Sequence, residues 1–229
     1  MSEDFEFAAL SLADNYRKAL LHEFSTPLRG NVLEVGAGIG QITEALLKNH
    51  RITRLVSVEP HPNFHQQLLG KFPGHTIIHG TIENLKEDDN WDTILSINVL
   101  EHIDDDENEL KNYYQCLAKN VGTLCLFVPA RPEIYAEIDK DFGHFRRYTR
   151  PELRAKLERA GFQIVRLRYY NFVGYLAWWL TFCFLKKRHF NAGSVRFFDR
   201  FIFPLVYKFE SRICPPFIGQ SLLVEARAQ

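Results

Sequence analysis

Apolar positions along the chain follow two periods in turn. Leu12, Tyr16, Leu20 and Phe24 recur every fourth residue and predict a leading helix over 5–24. Short apolar runs then alternate with stretches of helical spacing. They predict strands over 32–35, 55–58, 75–78, 91–97 and 121–128, and helices over 40–48, 62–71 and 105–119. Pro62 suits the opening of a helix, where an N–H would have no partner. Asp105, Asp106 and Glu107 open the long helix over 105–119, where the helix dipole favours negative charge. Strands separated by helices imply βαβ units, and so a doubly wound α/β domain built on a parallel sheet.

The pattern changes after Pro129. A loop rich in Tyr, His and Arg runs to Tyr148. Thr149 and Glu152 then have the spacing of a capping box, and the helix they open stops at Gly161. Strands over 162–170 and 220–227 follow, with about fifty residues between them. That insertion is too long and too apolar for a hairpin loop.

Ligands of doubly wound sheets bind beyond the carboxyl ends of the strands, and the candidate chemistry falls there. The first strand runs into Glu34-Val35-Gly36-Ala37-Gly38-Ile39-Gly40, and Glu59-Pro60 ends the second. A glycine turn lets backbone approach a ligand closely, and a carboxylate at the neighbouring strand's tip can hold the two hydroxyls of a ribose. Dinucleotide sites need G-x-G-x-x-G with a pyrophosphate on the helix N-terminus. Here the glycines fall as G-x-G-x-G, and Gln41 stands where the last glycine should be. Glu34 would be badly placed beside a pyrophosphate and better suits a positively charged ligand. A nicotinamide-dependent reductase is therefore disfavoured. The plain alternative is a glycine turn without a ligand.

Thr81, Ile82 and Glu83 follow the third strand, and Asn98, Val99 and His102 follow the fourth. Glu83 is either a ligand acceptor or an ordinary acid at a helix start. His102 is either a general base, with an ordinary pKa near neutrality, or a structural histidine. The loop over 138–148 gathers His144, Arg146, Arg147 and Tyr148. Paired arginines suit capture of carboxylate or phosphate, His144 could deprotonate a hydroxyl, and Tyr148 could orient it. Alternatively, one arginine pairs with Asp139 or Asp141 to fasten the loop.

Net charge is zero but unevenly spread: −9 over residues 1–129 and +9 over 130–229. The basic half points to something anionic or to solvated helix faces. Within the insertion, Tyr169–Leu185 holds seventeen residues without a charge, followed by Lys186-Lys187-Arg188. Seventeen is the lower edge for a membrane span, and the stretch starts inside a core strand. A surface-lying helix with interfacial Trp and a basic flank fits better. Phe197, Phe198, Phe201, Ile202, Leu205, Val206 and Phe209 then recur at helical spacing. Peripheral membrane contact over 172–210, a homodimer interface and a plain helical cap remain as readings. Four cysteines without metal spacing read as free thiols, and the acidic start Met1-Ser2-Glu3-Asp4 argues against a signal peptide. A cytoplasmic protein, peripheral at the membrane's inner face, is expected.

The pattern E-x-G-x-G-x-G resembles the first motif of class I S-adenosylmethionine-dependent methyltransferases. The segment Gly143-His144-Phe145-Arg146-Arg147-Tyr148-Thr149, with Asn15-Tyr16, Asn171 and Gly219-Gln220-Ser221-Leu222, resembles one bacterial group of them (methyltransferase type 11/12-like) over nearly the full length. The resemblance implies a Rossmann-like, doubly wound seven-stranded sheet, its last strand antiparallel, with a helical insertion before that strand. It implies a single domain: a helical lead over 1–30, a cofactor core over 31–129 and a substrate side over 130–229, with the insertion at about 172–219. The cofactor would be S-adenosylmethionine, held by Glu34, Gly36, Ala37, Gly38, Gly40, Glu59, Pro60, Thr81, Ile82, Glu83, Asn98 and Val99. Glu59 would hold the ribose, Glu83 would accept the adenine amine and Ile82 would pack on its ring. His144, Tyr148 and His102 become catalytic candidates, and Arg146 and Arg147 substrate-binding ones. In ubiquinone-pathway O-methyltransferases a similar E-x-x-E-H segment is linked to a divalent metal. Asn98 replaces the first Glu here, so no metal is expected. The favoured acceptor is a lipophilic or lipid-linked small molecule methylated on oxygen. A non-catalytic cofactor-binding subunit of a glycosyltransferase or membrane complex is an alternative. So is an RNA methyltransferase, although no RNA-binding module or N-P-P-Y motif is present.

Overall fold

The computed structural model describes residues 12–85 and 90–229. Seven strands form one sheet in the order β3-β2-β1-β4-β5-β7-β6. They are β1 Gly30–Val35, β2 Ile52–Glu59, β3 Thr76–His79, β4 Thr93–Ile97, β5 Thr123–Pro129, β6 Gln163–Tyr170 and β7 Ser221–Arg227. The first five run parallel, and β7 is antiparallel to both β5 and β6. This is the expected Rossmann-like, doubly wound seven-stranded sheet with an antiparallel last strand. The chain winds outward from β1 to β3, then returns to place β4 on the other side of β1. That reversal opens a crevice at the carboxyl ends of β1 and β4, where doubly wound sheets bind ligands.

Side chains alternate across the sheet and feed two cores. Leu33 and Val35 of β1 join Leu124, Leu126 and Val128 of β5 on one face, with Trp91 and Tyr113. Val32, Cys125 and Phe127 face the other way, onto Leu20 and Phe24 of the helix Asp14–Glu23. The expected leading helix is thus present from Asp14, and its part over 5–11 lies outside the described residues. The helix after β1 runs Gln41–Leu47 rather than from Gly40, because Gly40 serves as its N-cap at φ 80°.

The insertion folds into two helical arms joined by a loop. The first is Phe172–Trp178 continued by π-helical turns over Trp179–Phe184. The second runs through Ala192–Phe197, π-helical turns over Phe198–Ile202 and the helix Phe203–Arg212. Pro204 lacks an N–H to donate to the preceding turn, and the π-helical stretch ends just before it. A third core of Ile134, Ile138, Phe142, Trp178 and Phe182 fastens the first arm to the loop after β5. No helix among the described residues is long and apolar enough to cross a membrane.

Candidate active site

Two cavities meet above the carboxyl ends of the strands. The first, about 520 Å³, lies over the glycine turn and is walled by Gly36, Ala37, Gly38, Glu59, Pro60, Thr81, Asn98, Val99 and His102. Its size falls within the ~300–1,000 Å³ of small-molecule sites. The turn is held from behind by β2: Gly36 and Ala37 donate to the Val58 carbonyl at 2.9 and 3.2 Å. Gly36 sits at φ 71°, and a Cβ there would meet Val99 Cγ2 at 2.4 Å. The Glu59 carboxylate accepts the Gly38 N–H at 2.7 Å with one oxygen and the His61 N–H at 2.8 Å with the other. Its orientation is thereby set before any ligand arrives.

Some expected cofactor residues stand behind this wall rather than in it. Glu34 is buried beneath the turn, where its Oε2 accepts the Thr43 and Ser57 hydroxyls at 2.7 and 2.6 Å. Burial pushes its carboxyl up to about 7, against the opposing effect of those two hydroxyls. Glu34 therefore braces the turn from below. Gly40 is needed for backbone geometry, since a Cβ there would meet Phe72 at 2.5 Å. Ile82 packs in the core and Glu83 is exposed, while Glu109 from the helix Asp106–Ala118 enters the wall. Burial also raises the Glu109 carboxyl. Tyr16 and Arg17, from the leading helix, complete the wall; Arg17 donates to Gln41 Oε1 at 3.1 Å. Sequence reasoning missed Tyr16, Arg17 and Glu109, because a helix distant in sequence brings each to the site.

The second cavity, about 690 Å³, is walled largely by the insertion, including Trp178, Phe182, Phe190, Phe197 and Phe198. Asn98, Phe142, Tyr16 and Ala13 belong to both walls, so this is where the cavities join. Asn98 occupies the left-handed region at φ 52° on the loop after β4.

Two histidines stand at that junction. His102 faces the first cavity and His144 the second, with their rings edge to face at 4.7 Å. Nδ1 of His144 lies 3.1 Å from Asp139 Oδ1. The same oxygen accepts Arg147 Nε at 2.8 Å, and Oδ2 accepts the Ala136 N–H at 2.8 Å. Burial alone would raise the Asp139 carboxyl, but His144 and Arg147 outweigh it and hold it below its ordinary range. Asp139 thus sets the orientation of both His144 and Arg147. Arg147 is buried with its guanidinium 4.3 Å from the centre of the Trp178 ring, in the wall of the second cavity. One arginine does fasten the loop to Asp139, and it is this one.

Two other candidates are placed away from the cavities. Tyr148 is fully buried; its hydroxyl donates to Asp106 Oδ2 at 2.8 Å and lies 3.2 Å from the Leu100 carbonyl. Burial and Asp106 drive its ionisation far above the ordinary range. It packs the loop onto the sheet and cannot orient an acceptor. Arg146 is taken up by Asp104 and Asp106, outside both cavity walls. Arg146 and Tyr148 flank Arg147 in an extended stretch, where successive side chains point to opposite sides, so Arg147 reaches the cavity wall and its two neighbours do not. Glu101, the second acid position of the E-x-x-E-H-like segment, is fully buried at the junction. It forms a trio with His102 and His144 whose donor atoms lie within 4.8 Å of one another, close enough to hold a metal ion. The expectation of no metal rested on Asn98 alone and did not weigh His144.

The family described as "Methyltransferase domain" matches residues 6–167, most of the chain. The chain belongs to that family. The methyltransferase has the fold of several solved S-adenosylmethionine-dependent methyltransferases. One from Mesorhizobium loti is 15% identical with a TM-score of 0.59, over 88% of this chain and 92% of that one. Another from Archaeoglobus fulgidus is 19% identical with a TM-score of 0.59, over 92% of each chain. A TehB-like enzyme from Corynebacterium glutamicum is 16% identical with a TM-score of 0.55, over 93% and 88%. No curated protein sequence matches the chain. S-adenosylmethionine is the cofactor, and the first cavity fits it. A bare glycine backbone borders the cavity, the oriented Glu59 carboxylate stands at the β2 tip, and Glu109 adds a second carboxyl to the wall.

Proposed function

We propose that the methyltransferase methylates a hydroxyl of a lipophilic or lipid-linked acceptor bound in the second cavity. The observation that carries this is the junction: an aromatic cavity opens directly onto the cofactor cavity, with His144 in its wall held by Asp139. When bound, the cofactor supplies an electrophilic methyl on a sulfonium. Transfer would give that methyl to the acceptor oxygen and leave the carbon–sulfur electron pair on sulfur. His144 takes the hydroxyl proton on Nε2, and Asp139 stabilises the resulting imidazolium at Nδ1. Glu59 would hold the ribose and Arg17 the cofactor's carboxylate. Asn98 and Phe142 would keep the two ligands in line and water out, since in-line positioning can lower such a barrier by up to roughly 7–11 kcal/mol. Arg147, already committed to Asp139, shapes the acceptor cavity and puts positive charge in its wall.

The test is mass spectrometry of lipid and glycolipid extracts from cells with and without the protein, seeking one species heavier by a single methylation. Turnover confined to water-soluble or nitrogen acceptors would overturn the assignment.

A further inference from the structure

An ordinary surface helix turns polar residues outward. Both arms of the insertion do the reverse. In the first, Gly174, Trp178 and Phe182 are buried, while Phe172, Leu176, Leu180 and Phe184, offset by half a turn, are exposed. In the second, Asp199 and Phe203 are buried, while Phe197, Phe201, Leu205, Phe209 and Ile213 are exposed at a strict spacing of four. Leu205 and Ile213 are each 71% exposed. Of seventeen large apolar residues exposed in the described chain, twelve fall between 172 and 217. Apolar exposure is therefore a property of this insertion and not of the surface at large, and contiguous patches of this kind mark interaction sites.

The charges on the same segment are one-signed. Its two acids are both buried and both spent on backbone. Asp199 accepts the N–H groups of Asn15 and Tyr16 at 3.0 and 2.9 Å, and Glu210 those of Asn171 and Phe172 at 2.9 and 2.7 Å. Arg188 pairs with Asp141. Lys186, Lys187, Arg196, Arg200, Lys208 and Arg212 are exposed and have no acidic partner among the described residues. Arg196, Arg200, Lys208 and Arg212 each directly precede one of the outward apolar residues of the second arm. A positive stripe therefore runs beside the apolar one.

We infer that this face docks on an anionic lipid surface. Apolar side chains would enter the acyl boundary while the flanking cations meet lipid phosphates. A second copy of the chain is a poor occupant, because a two-fold interface would set one cationic stripe against another. Phe197 and Lys187 also belong to the wall of the acceptor cavity, so docking brings lipid to its entrance. The inference extends the lipophilic-acceptor reading, but its evidence is separate.

The experiment is co-sedimentation of the full-length protein, without cofactor or acceptor, with vesicles of phosphatidylcholine alone or mixed with phosphatidylglycerol. Binding is expected to the anionic vesicles and to weaken with salt. With about 1 kcal/mol for each cation near the membrane, the double substitution Arg200→Gln/Lys208→Gln should reduce affinity on the order of tenfold or more. Leu205→Ser/Phe209→Ser should reduce it comparably, with circular dichroism unchanged. Absence of binding to anionic vesicles overturns the inference, as does binding indifferent to the Leu205 and Phe209 changes. So does a lipid-free dimer that Leu205→Ser dissociates, which would assign the face to a second copy. Because no turnover is measured, failure here leaves the transfer reading standing. A water-soluble acceptor alongside intact vesicle binding would sink only that reading.

Discussion

Glu34→Gln separates a brace from a ligand at the glycine turn. In the native chain the Glu34 carboxyl is buried and ionises near 7 instead of its ordinary 4.5. At 1.36 kcal/mol per pH unit, that difference corresponds to about 3 kcal/mol. A folded-state pKa above the unfolded one means the folded chain holds the proton more tightly. The contribution is therefore fully present below about 4.5 and is lost as pH rises through about 7. Gln keeps the shape and an oxygen for Thr43 and Ser57 but has no charge to bury. Urea unfolding of both proteins at pH 5 and pH 8 measures the effect. The variant should match the native protein within about 1 kcal/mol at pH 5 and exceed it by up to about 3 kcal/mol at pH 8. A difference that does not change with pH would refute the buried-carboxyl argument. An equally stable variant that no longer binds S-adenosylhomocysteine would make Glu34 a ligand contact after all.

Glu59→Ala removes charge-assisted hydrogen bonds of about 1.5–3 kcal/mol each, so calorimetry should show S-adenosylhomocysteine binding weakened roughly tenfold or more; unchanged affinity would remove its ribose role. Gly36→Ala forces an L-residue into the left-handed region beside Val99. At about 1–2 kcal/mol, that should lower Tm by roughly 2–8 °C and weaken cofactor binding; a native Tm would show that the turn tolerates a side chain. His144→Gln should cut kcat by about 10²–10⁴ with cofactor affinity retained. Turnover by the native enzyme should also survive a chelator: loss restored by Mg²⁺ would assign Glu101, His102 and His144 to a cation instead of to proton transfer.

Periodicity and punctuation were enough for the parallel α/β core, because strand and helix alternation, Pro62, Gly40 and the Thr149–Glu152 box act within a few residues of themselves. The cofactor motif was legible for the same reason: the glycine turn and the β2 tip are local features that βαβ topology must bring together. Three-dimensional placement decided what lies outside such local rules. Glu34 went beneath the turn, Tyr148 into the core and Arg146 to the surface. Tyr16, Arg17 and Glu109 arrived in the cofactor wall from helices whose sequences show nothing of that destination. Asp139 likewise became the organiser of His144 and Arg147, a role set by burial and distance rather than by spacing. In the insertion, composition and helical spacing announced an aromatic, basic helical segment. Only packing showed which apolar stripe faces the protein and which is left to another surface, because an all-apolar helix does not declare its inner side.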